Sequence, residues 1–273
     1  MRRLLPCILI AVGAALSGCG PAPDTTGPAS AAPDDVWGRY ERAAGGDALR
    51  NVRGIRATGI SVDPSIQGNR RLTLELAAPA GYRQRELPHP TDGAPLRTLI
   101  GYNGTVGWWA GNTMLAGDGL STDPAVRQAA LTAAGRQNFI NNAAGIVPLW
   151  LQDAGIEVTP VGVVQDGPDR GSWAVSLKAG GEPVGRLIFD ATTHFPRRLV
   201  VPYHRHIRSA GGEYSMVYAD YKDAGDGVML PYRISREAPA DTPSDITVTN
   251  WILSAYQINP VFDPNTFDPP GRQ

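Results

Sequence analysis

Short turn dipeptides constrain this chain more than any other feature. Asn103-Gly104, Asp166-Gly167, Gly180-Gly181, Gly211-Gly212 and Asp226-Gly227 separate runs of alternating apolar and polar residues at hairpin spacing. Connections that short cannot carry a parallel crossover, so successive strands pair antiparallel. Leu72, Leu74 and Leu76 alternate with Arg71, Thr73 and Glu75, and Trp173, Val175 and Leu177 face away from Ser172, Ser176 and Lys178. Each such strand has one buried and one solvated face. The same pattern predicts strands near 54–63, 82–87, 96–102 and 106–110, and again near 156–164, 172–179, 184–190, 197–207, 213–221, 228–236 and 246–257.

Helices interrupt this pattern in two places. Asp34 or Asp35 caps a short helix carrying Val36, Trp37, Tyr40 and Ala44, which Gly45-Gly46 ends, and a second turn follows over 47–52. Asp123-Pro124 opens an alanine-rich helix over 125–142 that Gly145 is expected to interrupt. A second helix over 146–152 then runs until Gly155. Strands, helix and strands again give a mainly β (α+β) fold, a large antiparallel sheet. With about ten or more strands such a sheet curls, and the two helical segments are left to cover its inner face. The 42% of hydrophobic residues supply the core, and 32 Gly and 24 Pro supply the turns.

The N-terminus has a different character. Arg2-Arg3, an apolar run from Leu4 to Leu16 and the small residues Ser17-Gly18 follow the order of a secretory signal over residues 1–18. The run is shorter than the ~20 apolar residues a membrane span needs. Cys19 directly after it resembles the lipobox of bacterial lipoproteins, which makes Cys19 the expected lipidation site and membrane anchor. Residues 19–33, small residues and prolines with one acid, cannot bury enough apolar surface to order themselves and read as a tether. Residues 34–273 form the expected single domain. Gly20 avoids the aspartate that retains well-studied lipoproteins in the inner membrane, so the resemblance implies the periplasmic side of the outer membrane. Cys7 lies in the signal, so the exported body has no thiol for a disulfide or a thiolate metal site. The formal charge of −1 becomes −3 once Arg2 and Arg3 leave with the signal, which gives no footprint for nucleic acid.

Several hairpins together resemble a family. Tyr40-Glu-Arg-Ala-Ala-Gly-Gly-Asp-Ala-Leu49 resembles the opening, and Gly101-Tyr-Asn-Gly-Thr-Val-Gly-Trp108 a hairpin, of the lipoprotein-sorting carriers and receptors (LolA/LolB-like). Phe189-Asp-Ala-Thr-Thr-His-Phe-Pro196, Tyr218-Ala-Asp-Tyr221, Gly227-Val-Met-Leu-Pro-Tyr232 and the closing Ile258-Asn-Pro260 with Phe267-Asp-Pro269 extend the likeness. The resemblance implies an open half-barrel whose apolar concave face is plugged by helices and holds acyl chains such as palmitate. The function it implies is lipid or lipoprotein binding and transport at the envelope. A lipobox departs from the soluble carriers and moves the expectation toward an anchored receptor. The alternative is an accessory or sensor lipoprotein that binds a protein partner in an envelope complex.

Few residues carry chemistry. No Gly-x-Ser-x-Gly, His-Glu-x-x-His, phosphate loop or Gly-x-Gly-x-x-Gly is present, so neither an enzyme nor a cofactor is expected. His204 and His206 share one face of a strand and would ligate zinc or copper if His194 joined them. Arg197, Arg198, Arg205 and Arg208 crowd that segment and oppose a dication, so a solvated basic face is the simpler reading. Asp220 with Asp223 and Asp263 with Asp268 read as turn caps. An acyl pocket would be lined by large apolar groups, and Trp37, Tyr40, Trp108, Trp109, Trp150 and Trp173 are the candidates, with core packing as the competing account of each.

Overall fold

The computed structural model describes residues 35–62, 69–88, 98–111, 122–202, 212–237 and 249–270. The signal, Cys19, the tether, His204 and His206 lie outside them. Each predicted strand appears among the described residues, and the expected positions 63, 96–97, 203–207 and 246–248 lie outside them. They are β1 (Gly54–Val62), β2 (Arg70–Ala77), β3 (Gly81–Pro88), β4 (Thr98–Asn103), β5 (Gly107–Gly111), β6 (Glu157–Val163), β7 (Trp173–Ala179), β8 (Glu182–Phe189), β9 (Pro196–Pro202), β10 (Glu213–Asp223), β11 (Met229–Glu237) and β12 (Asn250–Ile258). The helices are α1 (Val36–Ala43), α2 (Asp47–Arg50), α3 (Pro124–Ile146) and α4 (Trp150–Asp153).

The strands form one sheet in the order β5-β4-β3-β2-β1-β12-β11-β10-β9-β8-β7-β6. Two meanders, β1 to β5 and β6 to β12, meet where β1 pairs antiparallel with β12, Ile55 opposite Ile258 and Val62 opposite Asn250. The edges β5 and β6 do not pair with each other, so the sheet is an open half-barrel. The chain passes from one edge strand to the other through α3 and α4. At 1.5 Å per residue the 23 residues of α3 span about 35 Å, and the helix reaches from β5 and β4 to β9, β10 and β11.

Side-chain alternation decides which face is concave. Leu72, Leu74 and Leu76 are buried in the same core as Ile55, Ala57 and Tyr82, under the helices. The opposite face of β2 carries Glu75, which is nonetheless only 1% exposed. It lies in register between Arg56 and Arg83 and accepts from their guanidinium groups at 2.9 and 2.5 Å. The C-terminal segment crosses this outer face. A methyl on Gly54 would come within 2.8 Å of the Phe262 ring and one on Gly81 within 3.1 Å of Phe267, and the two rings meet edge to face at 5.2 Å.

The helix caps follow the sequence. Asp35 accepts from the Gly38 amide at 2.9 Å, and Asp123 accepts from the Ala125 amide at 2.8 Å with Pro124 as the first helical residue. The expected interruption at Gly145 is corrected: α3 runs through it to Ile146. Gly145 serves packing instead, because a β-carbon there would lie 2.0 Å from the Tyr218 ring.

Candidate functional site

The concave face is the site to consider, and α3 is its cover. Two tyrosines hold the C-terminal half of the helix. The Tyr218 hydroxyl donates to the Asn141 carbonyl at 2.5 Å, and the Tyr221 hydroxyl lies 3.0 Å from the carbonyl of Gly145, one turn on. Tyr218 and Tyr221 are three residues apart, a spacing that sends side chains to opposite faces of a regular strand. Asp220 between them has φ +58, and this left-handed residue re-aims Tyr221 toward the helix. Asn141 donates its amide to the Tyr214 hydroxyl at 2.9 Å. Burial pushes the phenols of Tyr218 and Tyr221 well above their ordinary range, so both remain neutral donors.

Among the described residues the N-terminal half makes fewer hydrogen bonds to the sheet, one of them from the Gly107 amide to Thr132 Oγ1 at 3.3 Å. Gly135 sits so close to β5 that a β-carbon would lie 3.0 Å from the Gly107 α-carbon, and Gln128 donates to the Gly107 carbonyl at 2.9 Å. Residues 124–129 are exposed. Small side chains here bury little apolar area and let the helix backbone approach β5 closely, with the Leu131 carbonyl and Thr132 against Gly107.

A buried polar run crosses the concave face beside the apolar one. Tyr82 donates to Gln84 at 2.5 Å, Gln84 donates to Glu86 at 2.8 Å, and Arg70 donates to Glu86 at 3.1 Å. Tyr82, Gln84 and Glu86 are 0%, 6% and 5% exposed. Burial, and secondarily the charge of Glu86, raise the Tyr82 phenol, while Arg236 and Asn142 pull against the rise. Sequence reasoning missed this run. Its signal was β3 itself, where Tyr82, Gln84 and Glu86 alternate with Arg83 and Arg85, so that neither face is apolar enough for an ordinary core strand.

The tryptophans distribute over both faces. Trp37 meets Phe189 edge-on at 5.4 Å, Tyr40 lies 6.0 Å from the same ring, and Trp173 pairs with Phe189 across β7 and β8. Trp150 donates to the Val52 carbonyl at 3.3 Å within the same core. Trp109 projects with Gly107 toward α3. Trp108 does not join them: it lies on the outer face against Gly101, donating to the Phe267 carbonyl at 2.8 Å. His194 sits in a turn beside Val36, Arg39, Trp173 and Phe189. No group of three or more potential metal ligands occurs among the described residues. A cleft of about 190 Å³ opens between Asp190, Thr193, Phe195, Arg197, Tyr218 and Tyr221.

No family model matches the sequence, and no curated protein matches it. Among solved structures, the chain is similar to a domain from Vibrio parahaemolyticus named for outer membrane lipoprotein sorting. The identity is 12% and the TM-score 0.48, over 85% of this chain and 95% of that one. It is also similar to a DUF1329 family protein from Desulfovibrio piger, at 11% identity and a TM-score of 0.49, over 85% and 97% of the two chains.

Proposed function

We propose that the chain is an envelope lipoprotein, anchored through Cys19 on the periplasmic side of the outer membrane, that takes the acyl chain of a lipid or lipoprotein into the concave face of its sheet during envelope traffic. The observation that carries this reading is the asymmetric seating of α3. A C-terminal half tied by Tyr218 and Tyr221 and an N-terminal half joined to β5 through small residues and fewer described hydrogen bonds make a cover that can lift from β5 while staying attached at β10. Lifting it exposes a trough bounded by Trp109, Ile100 and the core leucines, with Gln84 of the polar run between Ile100 and Leu74. Burying sixteen methylenes at roughly 0.8 kcal/mol each supplies on the order of 10 kcal/mol, against which stand the lost α3 contacts and the ordering of the chain. Neither a cofactor nor a catalytic group is needed.

One observation favours the accessory-subunit reading. The cleft of about 190 Å³ falls below the roughly 300–1,000 Å³ of working ligand sites, and the core beneath α3 is continuous. A disulfide between the N-terminal half of α3 and β5, placed near their crossing at Thr132 and Gly107, separates the two. Under the acyl-binding reading the oxidised protein takes up no lipid and the reduced protein does, measured by mass spectrometry of protein purified without detergent. Equal uptake in both forms rejects the lifting cover. No uptake in either form favours the protein-partner reading.

A further inference from the structure

Polar side chains gather at one end of the concave face, where β1 and β11 end and β2, β10 and β12 begin. Ser61 lies opposite Trp251 on one side and Arg70 on the other, so these three form one cross-strand row. Neighbouring strands are about 4.8 Å apart, which puts the Trp251 and Arg70 backbones about 10 Å apart, with only a serine between them. Glu86 joins from β3 through Arg70, and Glu86, Arg236 of β11 and Asn142 of α3 all act on the neighbouring Tyr82 phenol.

Three polar atoms in this group are buried without a hydrogen-bond partner: Arg70 Nη2, Trp251 Nε1 and Asn142 Oδ1. Asn142 is only 1% exposed, and the Arg70 side chain 13%. Two of the three are donors. Among the described residues of the cluster, Arg70 and Arg236 bring two positive charges against the one of Glu86, leaving one in excess. Arg236 stacks on the Tyr214 ring at 4.6 Å and has no ion-pair partner among the described residues. A buried donor without an acceptor is a standing penalty on the closed state, and an excess cation beside it adds to that penalty. A cation or an aliphatic end would leave both in place. An anionic acceptor removes both at once.

We infer that this cluster is a head-group site, in which Trp251 Nε1, Arg70 Nη2 and the Arg236 charge receive the carboxylate or phosphate at the end of an acyl ligand. The inference rests on the acyl-binding reading and adds a direction to it: the charged end lies at this end of the strands and the alkyl chain runs under α3. Asn142 Oδ1 is an acceptor and gains no bond from an anion, and its amide is bonded to the Asn138 carbonyl at 2.8 Å.

The test titrates the full-length protein, released from detergent micelles into a native mass spectrometer, with palmitate and with methyl palmitate. Palmitate is expected to bind at least about ten-fold more tightly, as hydrogen bonds to a charged group imply. Trp251→Phe and Arg236→Met should each weaken palmitate by about ten-fold, and Arg236→Met should leave the uncharged ester unchanged. Trp251→Phe removes an unpaired buried donor, so its melting temperature should not fall, which separates a binding defect from a folding one. Equal binding of acid and ester, unchanged in both variants, overturns the head-group site and leaves the acyl trough standing. Binding of neither overturns the acyl reading and the head-group site with it. Inorganic phosphate that binds alone, with no acyl ligand retained, overturns the assignment to a lipid head.

Discussion

Single polar side chains set the turns on which the sheet depends. Asp190 Oδ1 accepts from the amides of Thr192 and Thr193 at 3.0 and 2.8 Å and from the Thr193 hydroxyl at 3.1 Å. Asn103 does the same for Thr105 and Val106 at 3.1 and 2.8 Å. Partial burial pulls the Asp190 carboxyl upward, but the Thr193 and Thr192 amides, the Thr193 hydroxyl and Arg197 together outweigh it and hold the group below 3.8. A carboxyl depressed on folding stabilises the fold above its unfolded value and loses that contribution as pH falls through its folded value. Asp190→Ala is therefore expected to cost about 1 kcal/mol at neutral pH. Urea midpoints of native and variant protein should converge as the pH drops below 3.8. A gap that stays constant into acid would mean that the charge of Asp190 plays no part.

At the scale of elements, α3 is both a structural crossing and the proposed cover, and Gly145 is where the two roles meet. A methyl there collides with the Tyr218 ring, so Gly145→Ala must shift either the helix or the ring. The expected cost is about 1–3 kcal/mol, against a gain of about 1 kcal/mol from the better helix former. Combining it with Tyr218→Leu should return part of the loss. If the double variant is as unstable as the sum of the singles, the clash is not the cause. This position also shows how much was legible. Alternation and turn dipeptides located the strands because both report directly on backbone geometry, and Asp123-Pro124 located the start of α3. Gly145 read as a break because a glycine inside a helical run lowers local propensity whether it serves a kink or a ring contact, and only Tyr218, far along the chain, decides which. The polar run on β3 was hidden similarly: its alternation was visible, but which face turned inward depended on the pairing of Leu76 with Tyr82. The tryptophans gave the weakest signal. Trp108 and Trp109 are neighbours in sequence and therefore face opposite sides, so they could not both line one trough.

The sheet is bridged by α3 and the C-terminal segment rather than closed by strand pairing. The half-barrel leaves β5 and β6 unpaired with each other, and its two meanders are joined through the β1–β12 pair and across the concave face by α3. The C-terminal segment adds a third tie. Asn259 Oδ1 accepts from the amides of Arg53 and Gly54 at 2.6 and 3.2 Å, and its amide donates to the Asn51 carbonyl at 3.1 Å, fixing the start of β1. Beyond it, Phe262 and Phe267 cover Gly54 and Gly81, the Phe267 carbonyl accepts from Trp108, and Asp268 accepts from Asn103 at 2.8 Å. The segment thus ties β1 to the β4–β5 hairpin across the outer face, on the opposite side of the sheet from the α3 seam. Ending the chain after Asn259 keeps the asparagine clamp and removes the two rings and the Trp108 bond. The expected loss is about 2–4 kcal/mol in urea unfolding. Fluorescence should also shift to the red as Trp108 meets water. If the strap only shields the outer face, acyl uptake survives below the unfolding temperature. If uptake falls while the truncated protein is still folded, the edge strand on which α3 closes depends on the strap, and the outer face controls the trough through β5.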